Sequence, residues 1–327
     1  MATPATGGSY GVERRFANMD LHCKSLIASG ANVLSQPEFL TGNVFYVNSS
    51  VSVAGDGTSP QFATDSLDTA IGLCTANNGD KIIVMPNHSE TITGAGGIAA
   101  DVAGITILGL GRGKQRPRFL MDGADTVSVT VTAADVTIAN LEFAAGHADV
   151  ATCFDVDAAG FHLLGCKFFD NVATENFLAI VTSGSATDNV CDGMVICHNY
   201  WYSPDASATF FIDHTGDVDE LIIEHNNVLL PAGTGSELLN VAAGDDMQGV
   251  SIKWNFLQHV MTSGELFISN NQSDNSGIIA HNRIRHADVT GAHDLGIDAL
   301  GCGLFDNLST STASVSGFVL PAIDVDL

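Results

Sequence analysis

Asp245 and Asp246 stand side by side in Ala243-Gly-Asp-Asp-Met247. Paired carboxylates are what glycosidic hydrolysis requires, one as proton donor and one as base or nucleophile. Gly-Asp-Asp is equally an ordinary turn between strands. Asp155 with Asp157, and Asp217 with Asp219 and Glu220, offer the oxygen donors that Ca²⁺ takes, or simply solvated turns. His198, His225 and His281 occupy equivalent positions, with Trp254 in the series between them. Three imidazoles invite a metal, but Zn²⁺ needs its ligands around one point and Trp254 interrupts the set, so a structural stack is the better reading. Arg112, Lys114, Arg116 and Arg118 crowd into Gly109-Leu-Gly-Arg-Gly-Lys-Gln-Arg-Pro-Arg118, readable as an anion site or as a basic docking turn. The glycines at 109–113 lack the strand-to-helix setting of a phosphate loop, which argues against nucleotide binding. The reading is therefore no metal, no cofactor and no catalytic set, with Asp245 and Asp246 as the catalytic alternative. Cys191 and Cys197 read as packing residues.

These residues are positioned by a repeat. Eight segments place an apolar residue three positions before a fixed column at 110, 141, 166, 199, 226, 255, 282 and 307. The last five members are Asn199, Asn226, Asn255, Asn282 and Asn307. A second strand lies upstream in the late units, where Ile212, Val241 and Ile268 each precede their Asn by 14 residues (226 − 212, 255 − 241, 282 − 268). Short β-branched and aromatic runs separated by Gly, Asp, Asn and Ser turns, repeating at intervals of 25 to 33 residues, specify a β-solenoid of about eight or nine coils. Stacked coils sit about 4.8 Å apart, so in-register Asn amides can donate and accept along a ladder while occupying a tight bend.

Val136-Thr-Ile-Ala-Asn-Leu-Glu-Phe143 and Leu221-Ile-Ile-Glu-His-Asn-Asn-Val228 resemble the turn-flanking strands of the pectin-lyase-like superfamily. Upstream, Asn43-Val-Phe-Tyr-Val47 reads as a strand and Ser66 to Asn78 as a short amphipathic helix, capped by Asp65 or Ser66 and ending near Gly79. Gly79-Asp-Lys-Ile-Ile-Val-Met-Pro86 then opens the first coil. That order is similar to the N-terminal capping module of the superfamily, which covers an open apolar end. The resemblance implies an all-β, right-handed, single-stranded parallel β-helix over residues 43–310, with 43–86 as the cap. Residues 1–42 form an N-terminal arm and 311–327 a C-terminal tail. Enzymes of this superfamily usually act on polysaccharides. Asp245-Asp246 resembles the Asp pair of polygalacturonase-like members, but the His-Gly turn and Arg-x-Lys that accompany it there have no suitable counterpart.

Composition narrows the function further. Twelve Lys and Arg against 37 Asp and Glu leave a formal charge of −25, which excludes a phosphate-driven nucleic-acid binder and disfavours an anionic membrane. An apolar share of 45% supports a large core. Seven scattered cysteines without a C-x-x-C pair indicate reduced thiols, and the N-terminus lacks the apolar stretch of a signal peptide. In general character the chain resembles the β-helix proteins of tailed bacteriophages. That resemblance implies a virion structural protein assembled in a host cytoplasm. The first expectation is a homotrimeric capsid decoration or cement protein that binds the major capsid protein or other virion subunits through its arms. Arg14, Arg15 and Phe16 are its attachment residues. The alternatives are a polysaccharide-active tailspike depolymerase and a glycan-binding adhesin without turnover. Carboxylates and aromatics gathered in one groove would favour those two.

Overall fold

The computed structural model describes residues 42–172, 174–184, 187–234, 236–260, 267–270, 274–286, 297–299, 301–311 and 316–318. The arm expected at 1–42, with Arg14, Arg15 and Phe16, lies outside them except for Gly42.

Three parallel sheets run the length of an all-β solenoid of about 7 turns, slightly fewer than the eight or nine expected. The first sheet has 10 strands because it also contains the cap strand Val44–Val47 and late rungs whose connections fall partly outside the described residues. Each coil visits the three sheets in turn. The strand Ile222–Glu224 lies in the first sheet, Asn227–Thr234 in the second and Glu237–Val241 in the third. Alternation along each short strand sends one residue inward and the next outward.

The inward residues stack coil upon coil. Ile107, Ile138, Leu163, Ile196, Ile223, Ile252 and Ile279 form one such line in the first sheet. Phe119, Phe143, Phe168 and Trp201 begin another in the second, with the first three rings 5.4 and 5.8 Å apart. In the third, Val181, Ile212, Leu239 and Ile268 are partners. Val241 pairs with His214, so the expected match of Val241 to Ile212 is displaced by two residues. A two-residue displacement keeps the side chain on the inner face, which is why the apolar pattern alone does not reveal it.

The N-terminal cap is present, but its helix covers only Leu67–Ile71. Ser66 is the N-cap, its Oγ accepting from the Thr69 amide at 3.3 Å, and Gly72 is the C-cap. Turns carry the chain from there to Gly79, so the expected extension to Asn78 does not occur. His88 ties this cap to the first coil. Its Nδ1 accepts from the Ser49 amide at 2.9 Å, which leaves Nε2 to donate to Glu90 at 3.0 Å. Glu90 in turn accepts from the Leu67 amide at the start of the helix. At the other end, Ser316–Phe318 adds an antiparallel strand to Leu308–Ser311, inside the segment expected as a non-repeat tail.

Candidate functional site

The corner between the first and second sheets holds two adjacent columns with opposite roles. The Asn side chains point inward and are buried. Asn226 donates from Nδ2 to Ile196 O at 2.7 Å and to Asn255 Oδ1 at 3.0 Å, and its backbone amide donates to the same Oδ1 at 3.0 Å. Asn199, Asn255 and Asn282 repeat this pattern, and the Cys166 amide donates to Asn199 Oδ1 at one end of the series. The strained backbone belongs to the preceding residue. His198, His225, Trp254, His281 and Asp306 have φ of 60, 57, 59, 58 and 50°. The bend expected at Asn therefore sits one position earlier, where Asn140 and Gly165 complete the series in earlier coils.

A left-handed residue turns its side chain away from the core, so the His–Trp column faces outward, with Trp254 52% exposed. His198 and His225 stack at 4.8 Å and 1°, and Trp254 and His281 at 4.2 Å and 16°. His225 and Trp254 are more loosely stacked at 6.3 Å. His281 Nδ1 pairs with Asp306 Oδ2 at 2.9 Å. The rings lie face to face, one per coil, so their nitrogens do not converge on a point as a Zn²⁺ site needs.

Carboxylates gather at a different corner, between the third sheet and the first. Asp188, Asp217 and Asp245 bring one oxygen each within 4.8 Å of the others. Two of them also brace turns: Asp245 Oδ2 accepts from the Gly216 amide at 2.6 Å, and Asp217 Oδ1 from the Asp246 amide at 2.8 Å. Desolvation and the like charges of Asp192, Asp246, Asp217 and Glu220 push the Asp219 carboxyl up. Desolvation and Asp217 do the same for Asp246. The Asp245–Asp246 pair is thus part of an acidic ridge one coil after another, whereas Asp155 sits on the third sheet, where burial and Asp157 push its carboxyl up.

The outer face of the second sheet was not singled out from sequence. Arg118, Glu142, Lys167, Tyr200, Phe256 and Arg283 lie on one outward column. Phe169, Tyr202 and Arg285 lie on the next. The signal is in the sequence: apart from Arg118, these residues sit one and three positions after the ladder column. Arg118 lies 4.9 Å over Phe169 and donates to Asn171 at 2.7 Å, and Lys167 approaches Tyr200 at 5.8 Å. Of the expected basic turn, Arg116 donates to Gly165 O at 2.7 Å, and Arg118 leads into this face. Among the described residues no Lys or Arg nitrogen lies within 4.0 Å of a carboxylate oxygen.

Among the described residues, cysteine chemistry is suppressed. Burial pushes Cys166 up to about 12 and Cys191 to about 11, so neither supplies a thiolate at neutral pH. Asp188, Asp217 and Asp245 thus crowd one corner, whereas the outer face of the second sheet mixes Arg118, Lys167, Arg283 and Arg285 with Glu142 and aromatic rings. Compared with protein-family models, with curated proteins and with solved structures, the chain gives no match.

Proposed function

We propose that the protein is a structural component of a tailed-bacteriophage virion, a capsid decoration or cement protein. Its β-helix would serve as a rigid body, homotrimeric, held on the major capsid protein by the arm at residues 1–42. The observation that carries this reading is the separation of the surface groups. A polysaccharide groove would gather carboxylates and aromatic platforms around one sugar chain. Here Asp245 and Asp246 lie at the corner before the first sheet, whereas Trp254 and the histidines lie at the corner after it. Mechanical service also suits the interior, where an apolar stack in each sheet runs from coil to coil and the ladder from Asn199 to Asn307 adds hydrogen bonds between the later ones.

The test is location and attachment. Gold-labelled antibody against the chain should decorate capsids of purified particles. A chain lacking residues 1–42 should remain folded by circular dichroism yet fail to sediment with undecorated capsids. Label on the tail, with release of reducing ends or unsaturated uronate from host polysaccharide, would replace this reading with the depolymerase. Full capsid occupancy by the truncated chain would remove the arm from it.

A further inference from the structure

We propose that Asn78 is a site of spontaneous covalent modification: attack by the Gly79 nitrogen turns its side-chain amide into a carboxylate, and the product unlocks the N-terminal cap. The inference concerns the cap alone and holds whatever the solenoid attaches to.

Three observations carry it. First, Asn78-Gly79 is the one Asn–Gly pair in the chain. Cyclisation of an asparagine needs the next backbone nitrogen to reach its Cγ, and a residue without Cβ leaves that approach open. Second, the local backbone leaves the reacting groups accessible. Both residues lie in a turn outside helix and strand, and both are partly exposed. The left-handed residues Asn77 and Gly79, at φ 58 and 73°, flank the reacting side chain. The Asn77 amide donates to Ala103 O at 2.8 Å and the Asn78 amide to Thr75 O at 3.2 Å, whereas the Gly79 amide has no acceptor among the described residues. Third, the Asn78 side chain is already turned along the chain ahead of it. Its Nδ2 donates to Asp80 Oδ1 at 2.7 Å, a reach of two residues that carries it past the Gly79 peptide.

The reaction needs water and no other partner. Loss of the Gly79 amide proton to solvent base lets that nitrogen form a bond to Asn78 Cγ. The bond from Cγ to Nδ2 breaks, and Nδ2 takes a proton from solvent and leaves as ammonia. Water then opens the cyclic imide. Opening at one carbonyl gives aspartate. Opening at the other gives isoaspartate, whose main chain runs through the former side chain.

Either product puts a carboxylate where Asp80 has a donor. Asp80 is buried and clamps the cap. It accepts from the Asn43 amide at 2.6 Å, just before the strand Val44–Val47, and from the Thr75 amide at 2.7 Å, in the turns after the helix Leu67–Ile71. Burial by itself would push its carboxyl up, but the bonds from Thr75, Asn43 and Asn78 hold it below the usual carboxylate range. A second anion beside a buried carboxylate that has lost a donor disfavours the clamped state.

The experiment keeps the full-length chain in warm, mildly alkaline buffer. Samples are then digested and mapped by mass spectrometry with electron-transfer fragmentation, which separates isoaspartate from aspartate. Conversion at Asn78 is expected to be about tenfold or more faster than at any other asparagine, and within about tenfold of its rate in the urea-unfolded chain. In the aged chain, hydrogen exchange of peptides covering Asn43 and Thr75 should be about tenfold or more faster than in fresh chain. Asn78→Asp should reproduce that exchange without ageing, and Asn78→Gln should age without conversion at its position. An Asn78 that stays intact while other asparagines convert, or that converts in urea alone, would overturn the modification. Unchanged exchange at Asn43 and Thr75, in both the converted chain and Asn78→Asp, would overturn its coupling to the cap.

Discussion

Removing the amide of Asn255 tests the ladder at its middle. The side chain takes part in four hydrogen bonds: Nδ2 to Ile223 O at 2.7 Å and to Asn282 Oδ1 at 3.0 Å, and Oδ1 from the Asn226 amide and from Asn226 Nδ2, both at 3.0 Å. In Asn255→Ala, Asn226 Nδ2 keeps Ile196 O, and Asn282 Oδ1 keeps the Asn255 amide. The Asn226 backbone N–H keeps no acceptor from this set, and Ile223 O loses a donor. A buried group left unpaired costs about 1–3 kcal/mol, and each remaining lost bond about 0.5–1.5 kcal/mol. The site is closed to water, since Asn226 and Asn255 are each 1% exposed. The expected loss is therefore about 3–5 kcal/mol, large against a total stability of about 5–15 kcal/mol for an ordinary domain. Urea unfolding followed by far-ultraviolet circular dichroism reads it as a lower midpoint. A midpoint within error of wild type would refute the argument, because it would mean that water or a relaxed backbone satisfies the Asn226 amide.

The adjacent position should respond in the opposite sense. His225→Gly removes a left-handed residue's steric cost of about 1–2 kcal/mol, partly offset by lost stacking, so its midpoint should rise slightly above wild type, whereas His225→Val should unfold earlier. Asp170 supplies a pH test. Burial, opposed by Ser203 Oγ donating at 2.7 Å and reinforced by Asp205, pushes its carboxyl up to about 7. A folded pKa above the unfolded one means that the folded state holds the extra proton. The ionised group's penalty is thus absent below about pH 4 and complete above about pH 7. Screened for partial exposure, that penalty is about 1–2 kcal/mol, and Asp170→Asn should recover it at pH 8 and not at pH 4 in thermal melts. Finally, Asp245→Asn should leave glycan-panel assays at the wild-type background; turnover abolished by that change would restore the catalytic reading.

The parts of this fold that are legible in the sequence are those that repeat. Ile196, Ile223, Ile252 and Ile279, each three residues before an Asn, fix both coil and register, because a buried ladder tolerates neither polar substitution nor slippage. The orientation of His198, His225 and Trp254 is not legible from strand alternation, which fails at a left-handed residue; His visits that backbone more often than most residues, but Trp does not. Trp254 is the clearest case: a bulky residue held at φ 59° between two imidazoles. The helix ends earlier than its sequence suggests because Leu67, Ala70 and Ile71 have helical spacing while the following Cys74-Thr-Ala-Asn-Asn78 does not sustain it. The outer face of the second sheet is not legible in the sequence because members of one column are 24 or more residues apart and meet only once coils are stacked.

The ladder also makes the solenoid a ruler. Each Asn hands its amide to the next through the same pair of bonds, so a coil recognises its neighbour by register and not by identity. The interval from Asn199 to Asn226 is 27 residues (226 − 199), one complete circuit through the three sheets. Excising residues 200–226 would join Asn199 to Asn227 with the phase intact, shortening the rod by about 4.8 Å. Removing one residue fewer would instead put the strand after the junction one residue out of phase unless a turn absorbed the difference, as the turns of coils of unequal length do. Evolution can therefore change the axial length of this solenoid only in whole steps, each the thickness of a single coil.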